Sequence, residues 1–354
     1  MKKNYLKITA GVMSSAMLIG LCAAGVPAKV IAATEHWNDA SASATQWNQW
    51  KNNWNTYSSN YEHVSLTPGA DQTQLNLAWY SHTTETPAVR IATKQNMDGA
   101  KEFVGTQTEA VTIDGVKYFS NKATVKGLKE NTKYYYQVFQ NGKWQDAETY
   151  TTKSFDSFSF LYVGDPQIGA SKNQTSTEQE KMVSAGNEVS SAAKDNLAAR
   201  NDGYNWNNIL NDAVKDHEDV SFIVSAGDQV NAGKNEREYA AYLGADALAS
   251  LPVATTIGNH DSVSNQYTLH FNNPNAFSDK DANYIQGKTE AGTDYYYRYG
   301  NTLFMVLDTN NYNCATHENV MKKAISENKD AKWRIVVFHQ DIYGSGYDHS
   351  DSDG

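Results

Sequence analysis

Four short stretches of the chain share one construction: an apolar run rich in β-forming residues, a sharp turn, and a residue able to bind a hard cation. They are Phe160-Leu-Tyr-Val-Gly164-Asp165-Pro166-Gln167, Phe222-Ile-Val-Ser-Ala-Gly227-Asp228, Val253-Ala-Thr-Thr-Ile-Gly258-Asn259-His260-Asp261 and Ile335-Val-Val-Phe-His339. Carboxylate and amide oxygens and imidazole, all at strand ends, can converge on one edge of a sheet and hold a pair of divalent metals over a phosphate. Taken singly, each stretch is ambiguous. Gly-Asp after a strand is often a turn whose carboxylate accepts from the next amides, and an isolated His339 is more often a satisfied core histidine. Gly258-Asn259-His260-Asp261 is more specific, because three polar side chains follow a buried strand. Their shared strand-end placement favours a site, since ligands gather beyond the carboxyl ends of open α/β sheets.

The elements that must position these residues alternate. Trp206, Ile209, Leu210, Ala213 and Val214 form a helical stripe before a strand at 219–225; Tyr239, Tyr242, Leu243, Ala247 and Leu248 do the same before a strand at 252–257. Tyr295 to Tyr299 and Thr302 to Asp308 read as a hairpin about Gly300-Asn301, and a helix over 316–328 leads into the strand before His339. This grammar predicts an α/β layered domain from about residue 157. The stretch 170–203, rich in Ser, Asn, Ala and Glu, reads as an insertion.

Before residue 157 the signals are different. Lys2 and Lys3, the uncharged apolar run from Ile8 to Val26, and small residues at Ala32-Ala33 read as a signal peptide over 1–33, against the rival reading of an uncleaved anchor. Cleavage would leave Cys314 as the sole cysteine, so no intrachain disulfide is expected. Residues 34–60 predict a helical lead-in whose Trp47, Trp50 and Trp54 share one face. That face could stack on sugar rings, but helical aromatic spacing more often packs on a neighbouring domain. Residues 61–153 are all β: His63-Val-Ser-Leu, Leu75-Asn-Leu-Ala-Trp79, Val89-Arg-Ile-Ala-Thr93, Val111-Thr-Ile, then Tyr134, Tyr136 and Val138 on one face before an Asn141-Gly142 hairpin. The Leu128-to-Val138 pattern resembles the end of a fibronectin type III sandwich with its tyrosine corner.

The formal net charge of −10 argues against a general nucleic-acid binder. An acidic enzyme can still act on anions where bound metals supply the local positive charge. The 22 tyrosines and 8 tryptophans suit a β-rich, extracellular protein better than a coiled or disordered one.

The ordered set of strand-end motifs resembles the calcineurin-like metallophosphoesterases, and more closely their purple-acid-phosphatase-like branch, which places a fibronectin-like domain before the catalytic one. The resemblance implies two domains, an all-β fibronectin type III-like sandwich followed by a layered αββα domain over 157–354. It implies two metal ions, divalent or trivalent (Fe, Zn, Mn or Mg), with Asp165 on the first metal, Asp228 bridging both, and Asn259 and His339 on the second. His260 would contact the phosphoryl oxygen or protonate the leaving group, and Asp261 would orient its imidazole. Gln167 stands where the family has His or Gly, so it is a weak amide ligand or none. Asn231 replaces the Tyr of purple enzymes, so a purple Fe(III) centre is not expected. The family's Gly-His-x-His motif does not occur before Gly354, so the chain is expected to be truncated within its catalytic domain and inactive as it stands. His349, in the Gly344–Gly354 stretch, could touch substrate.

The implied function is a secreted or cell-surface phosphoesterase that hydrolyses small phosphorylated substrates through a metal-bridging hydroxide, with no nucleic-acid partner. The N-terminal region could add a cell-surface or carbohydrate contact. The alternatives are a surface binding protein with a degenerate phosphoesterase fold and a secreted nucleotidase.

Overall fold

The structure, a computed structural model, describes residues 44–173 and 190–341. The signal-peptide segment 1–33, residues 174–189 of the expected insertion, and His349 lie outside the described residues.

The first half is a sandwich of two antiparallel sheets. One sheet runs β1-β2-β6-β5, from Ser65–Pro68, Gln74–Ser81, Val116–Lys126 and Thr106–Ile113. The other runs β4-β3-β7-β8, from Lys101–Val104, Ala88–Ala92, Lys133–Gln140 and Lys143–Trp144, with β9 (Glu148–Thr151) also pairing β7. Alternation along β7 buries Tyr134, Tyr136 and Val138 against Leu75, Leu77 and Trp79 of β2. The Lys129 amide donates to Tyr134 Oη at 2.8 Å, the hydrogen bond of a tyrosine corner. Asn141 and Gly142, at φ 54° and 75°, make the tight turn that carries β7 into β8.

The second half is layered α/β/β/α. Parallel strands β10 (Ser159–Val163), β11 (Val220–Ser225) and β12 (Val253–Ala254) form one sheet. β15 (Tyr295–Tyr299), β16 (Thr302–Val306) and β17 (Trp333–Val337) form the other, with β16 and β17 parallel. A short hairpin, β13 (Lys288–Thr289) and β14 (Gly292–Thr293), precedes β15. Period-two alternation sorts side chains between layers. Phe222, Val224, Tyr295, Tyr297, Tyr299, Phe304 and Val306 fill the space between the sheets. Ile223 faces the opposite way, toward α1 (Ala44–Ser58), α2 (Ser191–Asp216) and α3 (Glu236–Leu243), and so does Val220, because the register shifts between Val220 and Phe222. Leu303 and Met305 pack under α5 (Cys314–Glu327). Within the stretch read as an insertion, Ser191 onward is the first half of α2, capped by Ser190. Among the described residues no helix is long and apolar enough to cross a membrane.

The tryptophan stripe of α1 packs on the layered α/β/β/α domain. Trp47, Trp50 and Trp54 are buried, and their indole groups are occupied. Trp50 Nε1 donates to Arg200 O and Trp54 Nε1 to Asn196 Oδ1, both at 2.8 Å, while Trp47 meets Tyr204 edge-on. The ring faces that could have stacked on sugar are committed to this contact.

The sandwich also completes the helix that follows the third motif. α4 (Gln266–His270) is too short to satisfy its own last carbonyls. Lys122 Nζ donates to Thr268 O, Ser120 Oγ to Leu269 O (2.6 Å) and Ser65 Oγ to His270 O (2.5 Å), all from sandwich strands. Beside them the His270 ring lies stacked between Tyr80 of β2 and Tyr239 of α3. Ser120→Ala strands a buried carbonyl and is expected to cost about 1–3 kcal/mol. Urea denaturation followed by intrinsic fluorescence should show a lower midpoint in one transition; an unchanged midpoint would refute the capping role.

Candidate metal centre

The four motifs end at one edge of the αββα domain. Asp165 follows β10, Asp228 follows β11, Asn259 follows the short β12, and His339 follows β17. Beyond the formal strands the loops stay zipped: Ala226 N donates to Val163 O, Gln167 N to Asp228 O, and Leu307 N to Val337 O, at 2.7–2.9 Å. The turns themselves are tight. Asp165, Gln167 and Asp228 take left-handed backbone at φ 42°, 37° and 48°, a conformation that costs a non-glycine residue ~1 kcal/mol. Two glycines make the convergence possible. A Cβ on Gly258 would lie 2.0 Å from Asp228 Oδ1, and one on Gly227 would lie 2.6 Å from His339 Nδ1.

Ligand atoms of Asp165, Asp228 and His339 thereby lie within 4.8 Å of one another. Asp228 is buried and Asp165 exposed, so the cluster opens to solvent on the Asp165 side. His339 Nδ1 donates to the Ala226 carbonyl at 2.9 Å, which leaves Nε2 directed inward, 2.9 Å from Asn259 Oδ1 and 3.4 Å from Asp228 Oδ2. A backbone carbonyl on the far nitrogen is the usual way a metal-binding histidine is oriented. Two carboxylates, one imidazole and one amide oxygen form a mixed N/O donor set that fits a divalent ion such as Mn, Zn or Fe. These residues therefore fit a metal centre.

His260 sits at the rim. Its backbone amide donates to Asp228 Oδ1 at 2.9 Å, and its ring Nδ1 donates to the Asn231 carbonyl at 2.6 Å. With the proton on Nδ1, Nε2 is the acceptor for Gln167 Nε2 at 3.0 Å, and Gln167 also donates to Asn231 Oδ1 at 3.2 Å. Gln167 thus turns its amide nitrogen toward His260, and an amide nitrogen is no metal ligand. The proposed role of Asp261 is also revised. Its carboxylate accepts from Gly258 N (2.9 Å), Gln229 Nε2 (2.7 Å) and Gln229 N (3.2 Å), so it braces the turn, and the Asn231 carbonyl orients the imidazole instead.

Charge follows burial here. Desolvation raises the pKa of Asp165, with His339 opposing and Asp228 adding to the rise. Desolvation lifts fully buried Asp261 to about 7 against its three hydrogen bonds. For His339 desolvation works downward, but the hydrogen bond and charge of Asp228 and the Ala226 carbonyl outweigh it and raise the pKa to about 9.

Two groups of the site were not among the sequence-derived candidates. Asn310 donates to Ile257 O and Gly258 O at 3.2 Å and accepts from Gln340 at 2.7 Å, tying the Asn259 turn to the residue after His339. Its signal was the Leu-Asp at the end of β16, a fifth strand end of the same grammar. The second is the Asn231 backbone carbonyl, which no side-chain pattern announces.

At neutral pH His339 carries a proton that a metal must displace before Nε2 can bind. Apparent Mn(II) affinity is therefore expected to rise from pH 6.5 toward the raised His339 pKa and level off above it. Calorimetry in buffers of different ionisation enthalpy should detect the released proton, and His339→Ala should remove that dependence. Equal affinity and no proton release across the range would refute His339 as a ligand.

The sequence profile of the calcineurin-like phosphoesterases matches residues 158–353, more than half of the chain, and that of the purple acid phosphatase N-terminal domain matches residues 61–152. No curated protein sequence matches. Among solved structures the chain is similar to purple acid phosphatase PPD1 from yellow lupin (Lupinus luteus) seeds, at 13% identity and a TM-score of 0.54, covering 80% of this chain and 51% of that one. At that identity the likeness shows the fold alone. A structure of PhoD aligns at 12% identity and a TM-score of 0.39, covering 71% of this chain and 52% of that one. The chain spans about half the length of these solved structures. On the two profile matches, the chain belongs to the calcineurin-like phosphoesterase family and carries a purple acid phosphatase N-terminal domain ahead of its calcineurin-like one.

Proposed function

We propose that the protein is an exported, binuclear-metal phosphoesterase that hydrolyses small phosphate esters, with His260 handing a proton to the leaving group. The observation that carries this reading is the convergence of Asp165, Asp228 and His339 within 4.8 Å, with Asn259 and His260 on the same turn beside them.

Bound metal ions would supply Lewis acidity and lower the pKa of the water that attacks phosphorus. The chain's own residues do the rest. Asp228 presents one oxygen toward His339 while the other receives the His260 amide, so its buried carboxylate is held in place and would serve as a ligand to the bound metal. Asp165 holds the solvent-facing side. Asn259 contributes a neutral amide oxygen, which keeps the charge of the loaded site positive toward an anionic substrate. His260 keeps one proton on Nδ1 against Asn231, so Nε2 faces the site; as the imidazolium, with a second proton taken from solvent on Nε2, it would give that proton to the leaving-group oxygen and return to the Nδ1–H form. Gln167 donates to Nε2 and must yield it to substrate.

In the full-length protein Asp228→Asn is expected to lower turnover of phosphate esters by more than about 100-fold, beyond what loss of an outer-shell partner costs. Circular dichroism and melting should stay close to wild type, and retained turnover would sink the assignment. Export is supported by the Lys2-Lys3, apolar and Ala32-Ala33 pattern. N-terminal sequencing of protein recovered outside the cell should begin at Thr34; cytoplasmic retention would refute export.

A further inference from the structure

Glu238 lies on the third residue of α3 and is 2% exposed, apart from the carboxylate cluster. Its carboxylate accepts from Asn235 Nδ2 at 2.8 Å and from the Ala232 amide at 2.7 Å, and its own amide donates to Asn235 O at 3.0 Å. Asn235 is the residue that caps α3, so part of this pattern is an ordinary capping arrangement. Capping does not account for Ala232, which precedes the cap by three residues. The Ala232 N–H and the Asn231 C=O belong to one peptide unit, and that C=O holds His260 Nδ1 at 2.6 Å. In a trans peptide the two groups point in opposite directions. Glu238 and His260 thus grip the same rigid plane from its two sides.

We propose that Glu238 is a positioning residue for His260, acting through the Asn231–Ala232 peptide. This inference rests on the reading of His260 as proton donor to the leaving group. A carboxylate accepting the peptide N–H fixes the plane's orientation and polarises its carbonyl, which strengthens the bond to Nδ1–H. It therefore sets both the aim of the imidazole and the nitrogen that faces the substrate. The same carboxylate closes on the first motif: a Cβ on Gly169, two residues past Gln167, would lie 2.4 Å from Glu238 Oε1. The loop that carries Gln167 and the loop that carries Asn231 both seat against one buried carboxylate. Desolvation raises its pKa to about 7, while the donations from Ala232 and Asn235 pull it back down.

The test uses the full-length, metal-loaded protein with Glu238→Gln, His260→Ala and the double variant. Two substrates are compared: an alkyl phosphate, whose leaving group needs a proton, and 4-nitrophenyl phosphate, whose leaving group does not. Glu238→Gln is expected to lower kcat about tenfold or more on the alkyl ester and less than about threefold on the nitrophenyl ester, a fraction of what general-acid catalysis supplies. KM and Mn(II) affinity should hold, and the selective loss should vanish in the His260→Ala background, because the two residues act in series. In the metal-free protein, Glu238→Ala, which removes the acceptor outright, should raise hydrogen exchange at the Ala232 amide about tenfold, as one lost hydrogen bond predicts. Wild-type selectivity in Glu238→Gln, or an equal loss with and without His260, overturns the role of Glu238. If His260→Ala itself keeps full activity on the alkyl ester, the reading of His260 fails instead. Should Glu238→Gln not fold, Glu238→Asp keeps the charge but withdraws it from Ala232, and the same selective loss is expected; its absence is equally decisive against the proposal.

Discussion

The site depends on how closely three turns can approach. Asp228, the Gly258 turn and His339 meet with no space for a side chain at Gly227 or Gly258, where an added Cβ would run into an aspartate oxygen or an imidazole ring. Sheet geometry alone cannot achieve this, since neighbouring strands stand about 4.8 Å apart and their side chains diverge beyond the last hydrogen bond. The chain bends each strand end inward through left-handed backbone at Asp165, Gln167 and Asp228. That local strain is offset by the amide donations that zip the loops together and by Asp261, which anchors the Gly258 turn from below.

The second consequence of that proximity is electrostatic. Partial desolvation raises the Asp165 pKa, with buried Asp228 adding to the rise against His339, and the hydrogen bond and charge of Asp228 hold a proton on His339. The imidazolium occupies, in charge, the role a metal ion would take over. Both histidines of the site give their Nδ1 proton to a backbone carbonyl, Ala226 for one and Asn231 for the other, so each presents Nε2. One nitrogen faces the carboxylates and the other faces the rim, a difference of aim that matches the proposed roles of ligand for His339 and proton carrier for His260.

Much of this was legible in the sequence because strand ends leave a double trace: a buried β run, then a polar residue with no local reason to follow it. Asp165, Asp228, Asn259 and His339 carry that trace, and so does the two-domain order, since the tyrosine corner at Tyr134 and the alternating helices write different periods. The roles of Gln167 and Asp261 were not legible, because which way an amide or carboxylate turns is decided by loops distant in sequence. Asp261 is one residue from His260, yet its partners Gln229 and Gly258 hold it beneath the turn. The support from Asn231 was invisible for a different reason: it is a main-chain carbonyl, and any residue supplies one. The tryptophan stripe was ambiguous in sequence because burial and sugar stacking use the same spacing, and only the position of α2 decides between them.

The capping of α4 by Lys122, Ser120 and Ser65 bears on what a domain is in this molecule. By composition and profile the border falls near residue 155, where a shuffling event or a designed truncation would cut. By hydrogen bonding the border does not exist there, because a helix of one side is terminated by hydroxyls and an ammonium of the other. The sandwich is thus the unrepeated half of an α4 cap, and an exchanged sandwich could serve only if it carried those three side chains in the same register. The two halves are joined by the chemistry of three carbonyls that the short helix cannot satisfy itself.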